Sequence, residues 1–148
     1  MSGTSEGSYA GDVSAEDAYE ALGAVPAATL IDVRTQAEWA YVGLPSLDAI
    51  GKTPILIEWR AFPSGEQAPR FVERLTGELL RLGVGRDAPL YFICRSGSRS
   101  RFAAVAMTAA GFRRCFNVEP GFEGPVDEAG HRNSVAGWRL AGLPWTQT

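Results

Sequence analysis

Residues 90–100 have the sequence Leu-Tyr-Phe-Ile-Cys-Arg-Ser-Gly-Ser-Arg-Ser. The first four residues form an apolar run without polar alternation, which is typical of a strand covered on both faces in a parallel sheet. An Ala-rich segment from Ser100 to Ala110 follows, and Gly111 stands where a helix over that segment would end. The stretch therefore predicts an α/β fold in which Leu90–Ile93 is the central strand and a cysteine lies between this strand and a helix.

The segments on either side repeat the alternation of strand and helix. Helices are predicted over about residues 14–23, 35–43 and 69–83, and further strands over about residues 29–33, 54–57 and 115–118. The first helix begins with the capping pair Ser14 and Asp17, and the second with Thr35 and Glu38. The third has Pro69 in its predicted first turn.

The two ends of the chain differ from this pattern. Residues 1–11 are predicted to be a disordered lead, and residues 12–148 a single domain. From residue 119 onwards the chain is rich in loops, and only residues 134–141 have helical character. This last part is expected to be a C-terminal segment that covers the domain.

The composition limits the class of protein. The chain has 148 residues, 45% hydrophobic and 21% charged, as expected for one soluble globular domain. No apolar run approaches the roughly 20 residues that span a bilayer, and no basic region precedes Arg34 as in a secretory signal, so a cytoplasmic protein is expected. The net charge of −3 argues against nucleic acid or a membrane as the partner.

The chain has two cysteines, too few for a disulfide scaffold, and Cys115 is interpreted as a core thiol.

The loop from Cys94 to Ser100 is predicted to bind negative charge. In an open α/β sheet ligands bind at the carboxyl ends of strands, and the amides of a helix N-terminus attract anions. Gly97 lets the backbone bend so that successive N–H groups point inward, and Arg95 and Arg99 add positive charge. These groups favour the thiolate form of Cys94, which is expected to be ionised at neutral pH and to act as a nucleophile without a general base.

Three parts of the sequence resemble the rhodanese family of sulfurtransferases. They are Cys94 to Ser100, Ile31 to Arg34 with the following Glu38 and Trp39, and Asn117 to Phe122. The resemblance spans about residues 13–145. It implies a rhodanese-like three-layer sandwich in which helices cover both faces of a five-stranded parallel sheet. The sequence departs from the family pattern at residues 43–46, where a Gly-His-Ile-Pro run is common, and at residues 119–121, where Glu-Gly-Gly is frequent.

The resemblance also implies an activity. A persulfide on Cys94, cradled by the loop amides from Arg95 to Ser100, would carry a sulfane sulfur from thiosulfate or a persulfide donor to cyanide or a thiol acceptor. Neither a cofactor nor a metal is implied. The expected partners are a small anionic sulfur donor and a thiol or protein acceptor.

Individual residues of the site receive predicted roles. The predicted substrate-binding residues are Arg95, Ser96, Gly97, Ser98, Arg99, Ser100 and Arg34. Asp32, at the carboxyl end of a neighbouring strand, is the predicted partner of Arg99 and would hold the loop rigid. Three of these roles have an equal alternative: Arg95 could be a solvated side chain, Arg34 could belong to the exposed capping region of the next helix, and Ser100 could be the N-cap of the following helix.

Two other functions remain open at this point. Cysteine-based phosphatases and arsenate reductases place five residues between the nucleophile and an arginine, whereas Arg99 follows Cys94 after four. One residue fewer shortens the loop by about 3.3 to 3.6 Å, which favours a sulfur atom over a phosphate group. The first alternative is a non-catalytic rhodanese-like binding module, and the less favoured one is a phosphatase or arsenate reductase. His131 is the only histidine, so a Cys–His protease is poorly supported.

Overall fold

The computed structural model describes residues 7–61 and 63–147. Five strands form a parallel sheet: β1 (Gly11–Val13), β2 (Thr29–Asp32), β4 (Ile55–Leu56), β5 (Leu90–Ile93) and β6 (Cys115–Val118). Their order across the sheet is β1-β6-β5-β2-β4. Two further strands, β3 (Leu44–Pro45) and β7 (Trp145–Thr146), form a small antiparallel ribbon. The described residues include the helices α1 (Ala15–Ala24), α2 (Gln36–Tyr41), α3 (Phe71–Arg81) and α4 (Ser98–Ala109), and a 3-10 turn over Asp48–Ile50. This arrangement confirms the predicted α/β fold with five parallel strands.

Strand β5 is the central strand, as its composition predicts. It pairs with β2 on one side and with β6 on the other. All four of its side chains are buried: Leu90 and Phe92 pack in one core, and Tyr91 and Ile93 in the other. A strand that lies between two cores has no solvent-facing side, which explains the absence of polar alternation.

The two cores lie on opposite faces of the sheet and make the fold a three-layer structure. One core contains the apolar faces of α3 and α4, including Leu75, Leu79 and Met107. The other contains α1, through Ala18 and Leu22, together with residues from the C-terminal part of the chain. Because helices cover both faces, the loops at the carboxyl ends of the strands remain available for a site.

The helix starts were predicted with mixed success. The side chain of Ser14 accepts a hydrogen bond from the Asp17 amide, and Thr35 and Glu38 form the predicted reciprocal capping box. Helix α3, however, begins at Phe71 after Arg70, whose φ of 60° is left-handed. Pro69 therefore lies in the preceding turn and not in the first turn of the helix. Helix α4 begins two residues before the predicted start, at Ser98.

The C-terminal part is a cover, but without the predicted helix. Residues 134–141 form bends and turns. Their backbone bonds to another segment instead, since the Trp138 amide donates to the Gly121 carbonyl (2.9 Å) and the Arg139 amide to the Phe122 carbonyl (3.2 Å). Trp138 is fully buried. Long-range pairing thus takes the place of the helix that the local sequence suggested, although one i to i−4 bond forms, from the Ala141 amide to the Gly137 carbonyl (2.9 Å).

Strand β1 was not predicted. It begins at Gly11, the last residue of the predicted lead, and pairs with β6; the Ala10 amide before it donates to the Cys115 carbonyl (2.8 Å). Residues 1–6 of the lead lie outside the described residues. Among the described residues, no helix is both long and apolar enough to cross a lipid bilayer.

Candidate active site

Cys94 follows the last residue of β5, at the carboxyl edge of the sheet. Its Sγ accepts a hydrogen bond from the Gly97 amide (3.2 Å) and lies 3.2 Å from the Ser100 hydroxyl oxygen. The residue is only 1% exposed, so the surrounding residues cover the sulfur almost completely. The loop amides from Arg95 to Ser100 were expected to surround this sulfur, but among the described residues Gly97 is the one whose amide donates a hydrogen bond to it.

Two glycines allow very close contact between this loop and residues 119–124. Gly97 has a φ of 116°, and a Cβ added to it would overlap the Glu119 carbonyl oxygen. Gly121 has a φ of 76°, and its Cβ would overlap the Arg95 carbonyl group. No other residue type fits this left-handed backbone and this spacing without displacement. Both positions are therefore part of the construction of the site.

Main-chain hydrogen bonds hold the same two segments together. The Phe122 amide donates to the Cys94 carbonyl (2.8 Å). The amides of Glu123 and Gly124 both donate to the Arg95 carbonyl, at 3.0 and 3.1 Å. We call residues 119–124 the clamp, because they fix the backbone of the loop from one side.

Arg99 forms an ion pair with Glu38 and not with Asp32. Its Nη1 and Nη2 atoms donate to the two carboxylate oxygens at 2.7 and 2.9 Å, and both side chains are about one-fifth exposed (21% and 18%). The capping box at Thr35 aims Glu38 towards the loop, a contact that the sequence pattern did not suggest. Burial opposes the charge of Glu38, but the hydrogen bonds from Arg99 and Thr35 and the positive charge of Arg99 outweigh it and lower the pKa of Glu38 to about 2.

Asp32 instead pairs with Arg34, and both side chains are fully buried. The Arg34 Nε atom lies 3.0 Å from one carboxylate oxygen, Nη2 lies 2.8 Å from the other, and Nη2 also donates to the Gly43 carbonyl (2.8 Å). The Phe122 ring centroid lies 4.2 Å from the guanidinium carbon. This burial corrects two predictions: Arg34 does not present its charge to a substrate anion, and Asp32 supports Arg34 rather than Arg99.

A chain of buried polar groups leads away from Cys94. The Ser100 hydroxyl oxygen lies 2.6 Å from Asn117 Oδ1, in β6. Asn117 Nδ2 donates to the Gly97 carbonyl (3.1 Å) and to Asp12 Oδ1 (3.2 Å). Gly97 occupies the N-cap position of α4, so Ser100 is not the N-cap. No role was predicted for Asn117, although it is the single amide side chain in an otherwise apolar strand.

A cavity of about 370 Å³ lies beside the loop. Its charged lining residues are Glu38, Arg60, Arg95 and Arg99. Because Glu38 and Arg99 neutralise each other, Arg60 and the exposed Arg95 leave the cavity with an excess of positive charge. Arg60 follows β4 at the same edge of the sheet and was missed by the sequence analysis. The cavity is suited to an anion.

The serines of the loop lie elsewhere. Ser96 and Ser98 line a second cavity, of about 320 Å³, whose charged lining residues are Asp12, Glu119 and Arg101. The predicted substrate-binding residues are therefore divided: Arg95 and Arg99 face the cationic cavity, and Ser96 and Ser98 face a more acidic one. Ser100 and Gly97 contact the sulfur itself.

Comparisons with known proteins show the family of the chain. The model of the family described as "STR4 middle domain" matches residues 10–148. The chain is 35% identical over 128 residues to an uncharacterized protein of Rickettsia conorii, covering 86% of this chain and 90% of that protein. It is 28% identical over 134 residues to "Rhodanese-like domain-containing protein 4, chloroplastic" of Arabidopsis thaliana, covering 90% of this chain and 25% of that protein.

Two solved structures have the same fold. The crystal structure of Rv0390 from M. tuberculosis superposes with a TM-score of 0.83 at 42% identity, covering 95% of this chain and 100% of that one. The solution structure of the polysulfide-sulfur transferase homodimer from Wolinella succinogenes has a TM-score of 0.58 at 21% identity, covering 97% and 82%. At that identity the second likeness shows the fold alone.

Proposed function

Because the chain belongs to the STR4 middle domain family and has a rhodanese-like fold, we propose that it is a sulfurtransferase that carries a sulfane sulfur on Cys94. The observation that carries this proposal is the placement of Cys94 Sγ against the Gly97 amide, at the N-terminus of α4 and beside a cationic cavity. Amides and cations at such a place stabilise a sulfur anion, whether thiolate or persulfide.

The first half-reaction loads the sulfur. The Cys94 thiol gives its proton to solvent, and the thiolate then attacks the outer sulfur of thiosulfate. The new S–S bond forms as the S–S bond of thiosulfate breaks, and sulfite leaves with the electron pair. Arg60 and Arg95 attract the dianionic donor into the cavity, and the Gly97 amide stabilises the negative charge of the persulfide.

The second half-reaction unloads the sulfur. Cyanide or a thiolate attacks the terminal sulfur of the persulfide, the bond to Cys94 Sγ breaks, and the Cys94 thiolate is restored. Residues 12–148 act as one domain in this proposal, with the C-terminal part covering the loop. Free thiols at Cys94 and Cys115 suit a reducing compartment such as the cytoplasm.

Intact-protein mass spectrometry tests the proposal. After incubation with thiosulfate we expect the wild type to gain the mass of one sulfur atom and to lose it again with cyanide. Cys94→Ala should show no gain, whereas Cys115→Ala should behave as the wild type. An unmodified wild type, or a gain that persists in Cys94→Ala, would contradict the proposal.

One observation favours a second candidate function. Cys94 is 1% exposed, as in a binding module in which the cysteine only fills the core. Such a module would gain no sulfur, and its ligand would occupy the cationic cavity without depending on Cys94. Persulfide formation in the same mass experiment therefore separates the two functions.

A further inference from the structure

The hydrogen bonds of Asn117 determine which way its amide points. Its Nδ2 group lies 3.1 Å from the Gly97 carbonyl oxygen and 3.2 Å from Asp12 Oδ1, and both of these atoms are acceptors. Turning the amide over would place its oxygen against two other oxygens. The amide oxygen must therefore face Ser100.

This orientation also fixes the proton of Ser100. The two oxygens are 2.6 Å apart, and an amide oxygen cannot donate, so the single hydroxyl proton lies between Ser100 and Asn117. Ser100 then presents lone pairs to Cys94 Sγ, 3.2 Å away. A thiol can donate a proton into that contact, but a thiolate faces a lone pair. All three residues are at most 1% exposed, so water does not relieve the mismatch.

We propose that Asn117 is a positioning residue that holds the resting Cys94 as a thiol by taking up the only proton of Ser100. The proposal rests on the proposed function in assigning Cys94 as the nucleophile, and it replaces the expectation that Cys94 is ionised at rest. On ionisation the thiol proton passes to solvent, and the Ser100 O–H turns from Asn117 to the sulfur. Ser100 keeps its own proton throughout.

The charged groups around Cys94 belong to the surrounding elements. They are Arg95 of the loop, Arg99 of α4 with its partner Glu38 of α2, Asp32 at the end of β2 with its buried partner Arg34, Asp12 of β1, Arg101 of α4, and Glu119 after β6. All of them remain in place in Asn117→Val, in Ser100→Ala and in the double variant, so changes in the ionisation of Cys94 report on the hydroxyl proton.

The test begins with Asn117→Val, which removes the acceptor while keeping a residue type that suits a buried strand. Freed from Asn117, the Ser100 proton can bind the thiolate. We expect the ratio of ionised to neutral Cys94 at neutral pH to rise about fivefold, the factor that one net hydrogen bond supplies. The ratio is measured from the ultraviolet absorbance of the thiolate, with Cys94→Ala subtracted.

A double-mutant cycle separates this role from loosening of the structure. In a Ser100→Ala background the substitution Asn117→Val should leave the ratio unchanged, because no hydroxyl proton is present to be freed. An equal rise in the Ser100→Ala background, or no rise in its presence, would overturn the proposal.

The wild type provides a second measurement that needs no substitution at Asn117. At neutral pH its infrared spectrum, with Cys94→Ala subtracted, should contain an S–H stretching band shifted to lower frequency by the bond to Ser100. Absence of that band would overturn the proposal even where Asn117→Val fails to fold. Neither result depends on sulfur transfer, so failure of the mass experiment and failure of this inference are distinguishable.

Discussion

At the scale of single residues, Glu38 connects two parts of the site. Its carboxylate accepts the Thr35 amide at the start of α2 (3.0 Å) and binds the Arg99 guanidinium through both oxygens. Two parallel bonds in a partly buried place are stronger than a surface pair. The position of the loop arginine therefore depends on a short helix more than 60 residues earlier in the chain.

The ionisation of Glu38 gives a prediction about acid stability. The pKa falls from 4.5 to about 2 on folding, so the stabilisation is complete above the unfolded value and is lost as the pH falls towards about 2. Between about pH 5 and pH 2 we expect the wild type to lose up to about 3 kcal/mol more than Glu38→Gln does. Denaturant unfolding at a series of pH values measures the difference.

A matched control for Glu38 is available on the surface. Asp87 pairs with Arg113, and both side chains are more than 70% exposed. Surface ion pairs contribute little, so Asp87→Asn should leave the acid dependence of the wild type unchanged. If Glu38→Gln shows the same acid dependence as Asp87→Asn, the ion pair does not stabilise the fold.

The two cysteines should differ in chemistry although both are buried. Burial raises the pKa of the Cys115 thiol to about 11. Cys115 should therefore stay protonated and unreactive at about pH 8, where limiting iodoacetamide should label Cys94 first. Peptide mapping of the labelled protein checks this order. Preferential labelling of Cys115 would be incompatible with Cys94 as the nucleophile.

At the scale of elements, the loop between β5 and α4 is shaped by glycine. Gly97 is the N-cap of α4, with a left-handed φ of 116°, and its amide donates a hydrogen bond to the sulfur. The sequence alone predicted β5, the loop and α4, because each of them consists of residues that are adjacent in the chain. It could not predict the clamp, since residues 119–124 meet the loop only after the chain has passed through α4 and β6.

Gly97→Ala tests the crowding between the loop and the clamp. The new Cβ would overlap the Glu119 carbonyl oxygen, and the left-handed backbone adds strain, so we expect a loss of at least about 2 kcal/mol and little persulfide. Gly77→Ala in α3 is the matched control, because nothing lies within 4 Å of its new Cβ. That change should stabilise the protein by about 0.5 to 1 kcal/mol. Thermal unfolding compares the two, and equal effects would exclude crowding at Gly97.

At the scale of the whole molecule, the C-terminal part supports the site from one face of the sheet. Trp138 is fully buried in the core that also contains Leu22 and Phe122, and its indole N–H donates to the Pro144 carbonyl (2.7 Å). Its backbone amide holds Gly121, within the clamp. Removal of this side chain should therefore affect both the core and the loop.

Trp138→Ala should lower the free energy of unfolding by about 3 to 5 kcal/mol, the usual cost of emptying a large buried site. Leu140→Ala is the matched control, since Leu140 is 47% exposed and surface changes cost little. Denaturant titration measures both. A loss at Trp138 no greater than that at Leu140 would show that the C-terminal part does not contribute to the core.

Local patterns predicted most of this molecule, and long-range contacts account for the rest. The buried strand β5, the capping box at Thr35 and the loop at Cys94 were predicted from adjacent residues. The acidic partner of Arg99 was predicted wrongly. Asp32 and Glu38 both lie near the same edge of the sheet, and only the packed fold decides which of them reaches Arg99. The predicted role of Arg34 in substrate binding was wrong because its burial against Asp32 also depends on the packed fold.

The contact between clamp and loop also bears on protein engineering. Because Gly97 and Gly121 let two backbone segments touch, the seven residues from Cys94 to Ser100 do not form a self-sufficient cassette. Transplanting them into another scaffold would leave the Cys94 and Arg95 carbonyl groups without their donors. The smallest portable version of this site is discontinuous, and a graft would have to carry both pieces in register.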